Sequence, residues 1–385
     1  MRSSQYFILV LLLLVQFACQ QQTTNTIKKD QNVAVVIDLE RNDKVSVYDI
    51  FSEIEVVPLE TNKESAFHYP FDKFVVHDNK FYYVLDSKDG SIFVFSENGI
   101  FVKKINKKGG GPGEYFAISD FDINRFTNNL EIFTSVGKLI IYDFAGENYI
   151  ETIPINTIVH YAINLTKDIV VCFNNVRSNN KMFFFSRSRR EIVADCFSHP
   201  DFIYTKTAFH HSATPFYVYN DTVCFYDAAN GDIFSIDAVN KTLKPRYQWD
   251  LGIYNFDVSL LPDDRDRQYY MEFLHYGNTK YAFSFLLNSE NDSYVIIRFR
   301  FQNKHKTIIY NKHTKNYLLF HEFIEGFQCI PVFLTNEYMY AILSPNYLPM
   351  MINEKVLNEE NRTKLNQIQD DDNCIVVKYK FKNND

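Results

Sequence analysis

The sequence predicts an all-β chain folded as a six-bladed β-propeller, with two short helical insertions and its N- and C-terminal strands paired to close the ring. Three observations predict it. Short apolar-alternating runs recur along the chain, separated by turn clusters. One run–turn–run unit repeats at an offset of about 47 residues, a typical blade length. Aromatic residues are abundant, 36 Phe and 26 Tyr in 385 residues, which favours strands over helices.

The unit is clearest between 80 and 139. Phe81–Leu85 is one run, Ser91–Phe95 the next, and Ile100–Ile105 follows a turn at Glu97-Asn98-Gly99. Asn-Gly between two β-rich runs predicts a type I′ hairpin, whose two central residues both need φ > 0. The stretch 89–105 (DGSIFVFSENGIFVKKI) aligns with 136–153 (VGKLIIYDFAGENYIETI), matching Ile92 to Leu139, Phe95 to Tyr142 and Gly99 to Gly146. Further copies occupy Thr222–Trp249, Asp168–Phe185, Tyr294–Tyr310 and Tyr338–Met351. Six units fit the folded length. A four-stranded sheet buries both faces only between neighbours, so the units close radially.

Closure requires the chain ends to meet. Cys374–Phe381 (CIVVKYKF) reads as a final strand, and Asn32–Leu39 (NVAVVIDL) is its expected partner. Val45–Tyr48 and Ile54–Leu59 read as further strands, with Pro58 marking an edge or a strand end. Leu261-Pro262-Asp263-Asp264 opens a helical insertion with a stripe of Tyr269, Tyr270, Phe273 and Leu274. Asn353–Gln369 is the second, with Leu357, Leu365 and Ile368 on one face. Both helices are expected on a propeller face, where either could shape an entrance to the central channel.

The N-terminus reads as an export signal. Arg2 is followed by an unbroken apolar run from Tyr6 to Val15, too short for a transmembrane helix, and then Gln16-Phe17-Ala18-Cys19. Residues 1–18 are the expected signal peptide, 19–31 a polar tether and 32–385 the propeller. Ala18-Cys19 resembles the lipobox of bacterial lipoproteins, which implies lipidation of Cys19 and membrane attachment through acyl chains. Gln20 stands where Asp would imply inner-membrane retention. The resemblance therefore implies the outer membrane, with the periplasmic face favoured over the cell surface.

Net charge is −7, which argues against a general nucleic-acid binder. The five cysteines beyond Cys19 (Cys172, Cys196, Cys224, Cys329, Cys374) form no C-x-x-C pair and read mostly as buried apolar residues. Cys196-x-x-His199 lacks the second pair of a zinc site. His210-His211 point to opposite faces of a strand, and His313 and His321-Glu322 read as surface or core. No metal set and no cofactor motif emerges, and there is no G-x-S-x-G elbow.

Two features carry binding expectations. Arg298 and Arg300 alternate with Phe299 and Phe301, so a strand places both guanidinium groups on one face, where they could recognise a carboxylate or sulfate. Gly109–Tyr115 contains Gly111-Pro112-Gly113-Glu114-Tyr115. Successive N–H groups there could cradle an anion, but the segment lacks a P-loop ending. It reads better as an inter-blade turn, with Glu114 anchoring it and Tyr115 packed beneath.

These residues also carry a family resemblance. Ile54–Thr61 (IEVVPLET), Ile92–Phe95 with Asn98-Gly99, Gly111–Tyr115 (GPGEY) and Asp371-Asp372-Asn373 resemble segments of six-bladed β-propeller lipoproteins of Gram-negative gut-type bacteria. That group is similar in architecture to NHL-repeat propellers. The resemblance implies fold and envelope location and no catalytic residue. The expected function is non-catalytic binding of a glycan fragment, a peptide or an envelope protein. The alternative is a metal-dependent lactonase-like or lyase-like enzyme with its site at the central channel.

Overall fold

The computed structural model describes residues 34–174, 182–197, 214–257, 266, 268–269, 272–273 and 279–382. The alternating runs form strands that pair into six antiparallel four-stranded blades, one of which gains a fifth, parallel strand. Blade 1 is Lys73–His77, Phe81–Asp86, Ser91–Ser96 and Phe101–Ile105. Blade 2 is Ile118–Ile123, Leu130–Thr134, Lys138–Tyr142 and Tyr149–Pro154. Blade 3 is Tyr161–Asn164, Ile169–Phe173, Met182–Ser186 and Glu191–Phe197. Blade 4 is Phe216–Tyr219, Thr222–Tyr226, Ile233–Asp237 and Thr242–Asp250. Blade 5 is Phe283–Glu290, Tyr294–Phe301, Lys304–Asn311 and Tyr317–Phe320. In blade 6, Phe333–Leu334, Tyr338–Leu343 and Ile375–Phe381 are completed by the N-terminal strand Phe51–Pro58.

First strands touch their counterparts in the next blade at the 2/3, 5/6 and 6/1 boundaries, which puts them innermost around the axis. The core sits between blades. Six apolar clusters occur among the described residues, one at each boundary. At the 5/6 boundary Tyr294 and Ile296 meet Val56, Val377 and Tyr379. At 4/5, Val295, Ile297 and Phe299 meet Trp249 and Ile233. The same strand of blade 5 thus feeds both clusters by alternation, as a two-sided strand must.

The ring closes through its termini, but not with the expected partner. Ile375–Phe381 pairs antiparallel with Phe51–Pro58, Val377 opposite Val56 and Tyr379 opposite Ile54. The reason is two-sided burial. Ile54 and Val56 face blade 5 while Val57 and Leu59 face blade 1. Among the described residues of Asn32–Leu39 only Ala34–Val36 is strand, and Val36 is 71% exposed. That short strand adds in parallel to the outer edge of blade 4, Ala34 beside Gln248. The chain then crosses blade 5, where Asp43 and Leu319 exchange two hydrogen bonds of 2.8 Å. The N-terminal segment therefore straps the rims of three consecutive blades.

Other expectations are corrected locally. Val45–Tyr48 is not a strand: Ser46 caps a short helix, Val47–Ile50. The Ser46 hydroxyl accepts from Tyr48 N–H, and Asp49 accepts from Ser46 N–H at 2.8 Å. This Ser-x-x-Asp box is a helix-start signal that outweighs the β-branched residues. The Asn98-Gly99 turn is not type I′, because Gly99 has φ +80° while Asn98 stays negative. The left-handed glycine instead precedes a bulge in the following strand. Paired positive φ values occur at Asp78-Asn79, Asn220-Asp221 and Gln302-Asn303, the first in a three-residue and the others in two-residue hairpin loops without glycine. The second insertion is shorter than expected: a helix at Glu359–Asn366, capped by Asn358, follows a separate turn at Glu354–Val356. Leu357 is buried, with Leu365 and Ile368 packed beside the same cluster. Most of 261–274, and all of the signal, Cys19 and the tether, lie outside the described residues.

Candidate functional site

In a four-stranded up-and-down blade, the connectors between blades and the second-to-third-strand loops emerge at one end of the ring. Here that end carries the long segments, described over 59–72, 106–117, 155–160, 251–257, 279–282, 321–332 and 344–374. Tyr69, Phe116, Ile158, Ile253, Ile324 and Tyr347 all project from them as exposed apolar side chains, Phe116 at 80% and Ile253 at 83% exposure.

The Gly109–Tyr115 turn is held from inside. Gly111 N–H donates to the Glu114 carboxylate at 2.7 Å, and Glu114 N–H donates back to Gly111 O at 3.0 Å. A side chain on Gly109 would strike that same carboxylate. The concave side of the turn is therefore filled by the chain's own anion. Tyr115 is buried; its hydroxyl donates to Gly90 O and accepts from Lys107 N–H, both at 3.1 Å. Gly113 sits at φ +77° against the Tyr149 ring, and its carbonyl accepts from the Tyr142 hydroxyl. Pro112 is exposed. A second anchor joins 59–72 to the 87–90 turn. Asp86 accepts from the backbone N–H groups of His68, Lys88 and Asp89, and lies 2.7 Å from His68 Nδ1. Sequence reasoning missed it, because nothing in the spacing of His68 and Asp86 signals contact.

Arg298 and Arg300 do share a face of blade 5, the one toward blade 6 that also carries Tyr294 and Ile296. Arg300 is exposed, and it pairs across the strands with His305. Arg298 is only 9% exposed. Both of its hydrogen bonds leave from Nη2, to Gln328 Oε1 at 2.8 Å and to His305 Nδ1 at 3.1 Å. Its Nε is buried without a partner. Burial lowers the Arg298 pKa, and it pulls His305 down to about 4 with help from both arginines. On the opposite face of the same hairpin, Lys304, Lys306, His321, Gln302, Asn42 and Glu322 line a cavity of about 260 Å³. Burial, then Lys304, lowers the Lys306 pKa.

Several other buried charges are paired with an opposite charge. Lys73 Nζ lies 2.8 Å from Asp120, which also accepts from Ala162 N–H. Arg187 lies 2.7 Å from Glu131, and Glu290 accepts from Arg246 at 2.9 Å and from Lys312 at 2.8 Å. Among the described residues no carboxylate pairs with Arg298 or with the buried Lys306. Cys172, Cys224, Cys329 and Cys374 are buried free thiols, with Cys196 partly buried. Among the described residues no three His, Cys, Asp or Glu side chains converge as a metal site, and no helix is long and apolar enough to cross a membrane.

A family model described as a domain of unknown function, DUF4934, matches residues 32–380. No curated protein matches the sequence. Two solved structures share the fold. A Bacteroides fragilis protein described as exported is 15% identical at TM-score 0.71, over 91% of this chain and 99% of its own. A member of the DUF4221 family from Bacteroides vulgatus is 10% identical at TM-score 0.54, over 89% of this chain and 99% of its own.

Proposed function

The chain belongs to the DUF4934 family, and from that premise we propose that it is a lipid-anchored, non-catalytic binding propeller of the cell envelope. Its ligand, a glycan fragment, a peptide or an envelope protein, docks on the connector end of the ring. One observation carries the reading: the apolar side chains of the long connectors are presented outward at one end, Phe116 and Ile253 almost fully. Unpaired apolar surface of this kind marks recognition sites. Export is supported by the N-terminal signal pattern ending at Cys19 and by the description of the B. fragilis neighbour. Two or more acyl chains on Cys19 would hold the protein stably at the outer membrane, on its periplasmic face rather than at the cell surface.

A photo-crosslinking residue placed at Phe116 or Ile253 in cells tests the face. The expected result is a discrete adduct from those positions and none from Val239, which is exposed on a turn at the opposite end. Equal yields from all three positions would overturn it. Replacing Cys19 by Ala should abolish acyl labelling and release the chain from the membrane fraction. Turnover of glycans or esters by the purified protein would remove the non-catalytic part of the reading.

A further inference from the structure

We propose that Arg298, Arg300, His305 and Gln328 form a recognition site for a carboxylate group carried by the ligand. The inference deepens the binding-face reading and rests on it for one point, that the ligand arrives at the connector end. Three observations meet at this site. First, Arg298 is a buried cation with no carboxylate paired to it among the described residues. A guanidinium cannot be neutralised by losing a proton as Lys or His can, and a buried charge ordinarily keeps a counter-ion. Lys73 with Asp120 and Arg187 with Glu131 obey this rule; Lys306 is buried with only Asn42 Oδ1 as its partner, but unlike a guanidinium it can lose its proton.

Second, the donors of Arg298 meet only neutral groups, whereas Arg187, which also leaves its Nε unbonded, meets Glu131. Arg298 Nε–H is buried and unbonded. The Nη2 donors hold the neutral acceptors Gln328 Oε1 and His305 Nδ1. Guanidinium N–H groups lie in one plane and match a planar carboxylate, the strongest neutralising partner open to arginine. Third, the neighbours add to the same field. Arg300 stands exposed two residues along the same face and pairs in register with His305. The site lies where blade 5 meets the 321–332 connector, the end at which Ile324 is exposed. An acidic chain of net charge −7 thus gathers Arg298 and Arg300 on one face, with no carboxylate paired to either among the described residues.

The test is titration of the mature chain in low-salt buffer. The carboxylate probes are galacturonic acid and N-acetyl-alanyl-alanine; galactose and the dipeptide amide are their neutral controls. Binding is read by calorimetry and by the His305 ring signals in NMR spectra. The expected result is binding of one or both acids but neither control, with His305 signals shifting and sulfate competing. The two acids separate a sugar source from a peptide terminus. Arg298→Gln and Arg300→Gln should each weaken binding at least tenfold. Arg300 is exposed, so its variant tests the site even should Arg298→Gln fail to fold. No binding by either acid, or equal binding by Arg300→Gln, overturns the proposal. The crosslinking pattern at Phe116 does not depend on these arginines, so failure here is distinguishable from failure of the binding face.

Discussion

Asn373 is the pin of the ring closure, and replacing it by Ala measures whether the ring unfolds as one unit. The residue is 5% exposed and precedes the last strand. Its Oδ1 accepts from Phe67 N–H at 3.2 Å, and its Nδ2 donates to Glu60 O at 2.8 Å and Ser65 O at 3.0 Å. Glu60 O keeps a second donor, the Ser65 hydroxyl. Truncation therefore strands two backbone groups, Phe67 N–H and Ser65 O. At about 1–3 kcal/mol for each unsatisfied group, the expected loss is about 3 kcal/mol. Asn373→Asp keeps the acceptor and turns a carboxylate toward two carbonyl oxygens. It should be at least as destabilising at neutral pH and partly recover in acid, where a protonated carboxyl can donate again. The assay is urea unfolding followed by the fluorescence of Trp249, the single tryptophan, which is fully buried at the 4/5 boundary. A cooperative ring transmits damage at the 6/1 boundary to Trp249, lowering the midpoint with unchanged slope. If circular dichroism shifts while the Trp249 transition stays at its wild-type midpoint, the blades unfold separately and the account of closure is wrong.

Four further outcomes are expected. Gly99→Ala should cost about 2–4 kcal/mol, read as a fall in Tm, because a Cβ there would lie 2.1 Å from Pro58 O at a φ of +80°. Gly326→Ala, with φ +84° and open space around it, should cost only about 1 kcal/mol. Lys73→Met leaves the Asp120 carboxylate buried without its cation and should cost about 3–5 kcal/mol, with the double change Lys73→Met, Asp120→Leu recovering much of it in a double-mutant cycle. Asp86 gives a pH signature. Burial alone would raise its carboxyl, but the N–H groups of His68 and Asp89 and the His68 ring hold it below the usual range. Its stabilisation is thus present above the ordinary carboxylate pKa and is lost as pH falls through the depressed folded value. Asp86→Asn should lower Tm near neutrality, and the gap to wild type should close in acid.

The blades are readable in the chain because strand alternation and turn chemistry are local. Lys73–His77 and Ile92–Phe95 declare themselves through their own side chains. The closing partner is not local. Phe51–Pro58 wins over Asn32–Leu39 because two neighbouring blades bury its two faces, Phe74 and Phe93 on one side and Tyr294 and Ile296 on the other, a fact its own residues do not carry. The segments Ile54–Thr61, Asn98-Gly99 and Asp371–Asn373 meet there: Glu60 N–H donates to Gly99 O and Asn373 N–H to Thr61 Oγ1. What looks in sequence like three separate motifs is one joint. Glycine-free hairpins escaped notice for the opposite reason, since Asp, Asn and Gln tolerate left-handed backbone without advertising it as glycine does.

The arginine pair shows where pattern reading reaches its physical end. Alternation places Arg298 and Arg300 on one face whatever the fold does next. It says nothing about which charge the adjoining blade offers in return. Arg187 meets Glu131 from 56 positions upstream, while Arg298 meets Gln328 from 30 positions downstream, an amide where a carboxylate would neutralise it. Both arginines lie at blade boundaries, and both retain a buried Nε without a partner. The difference lies in the group across the boundary, and only assembly of the ring exposes it. A buried guanidinium whose counter-charge is missing is a demand for an anion from outside, and that demand is written in three dimensions alone.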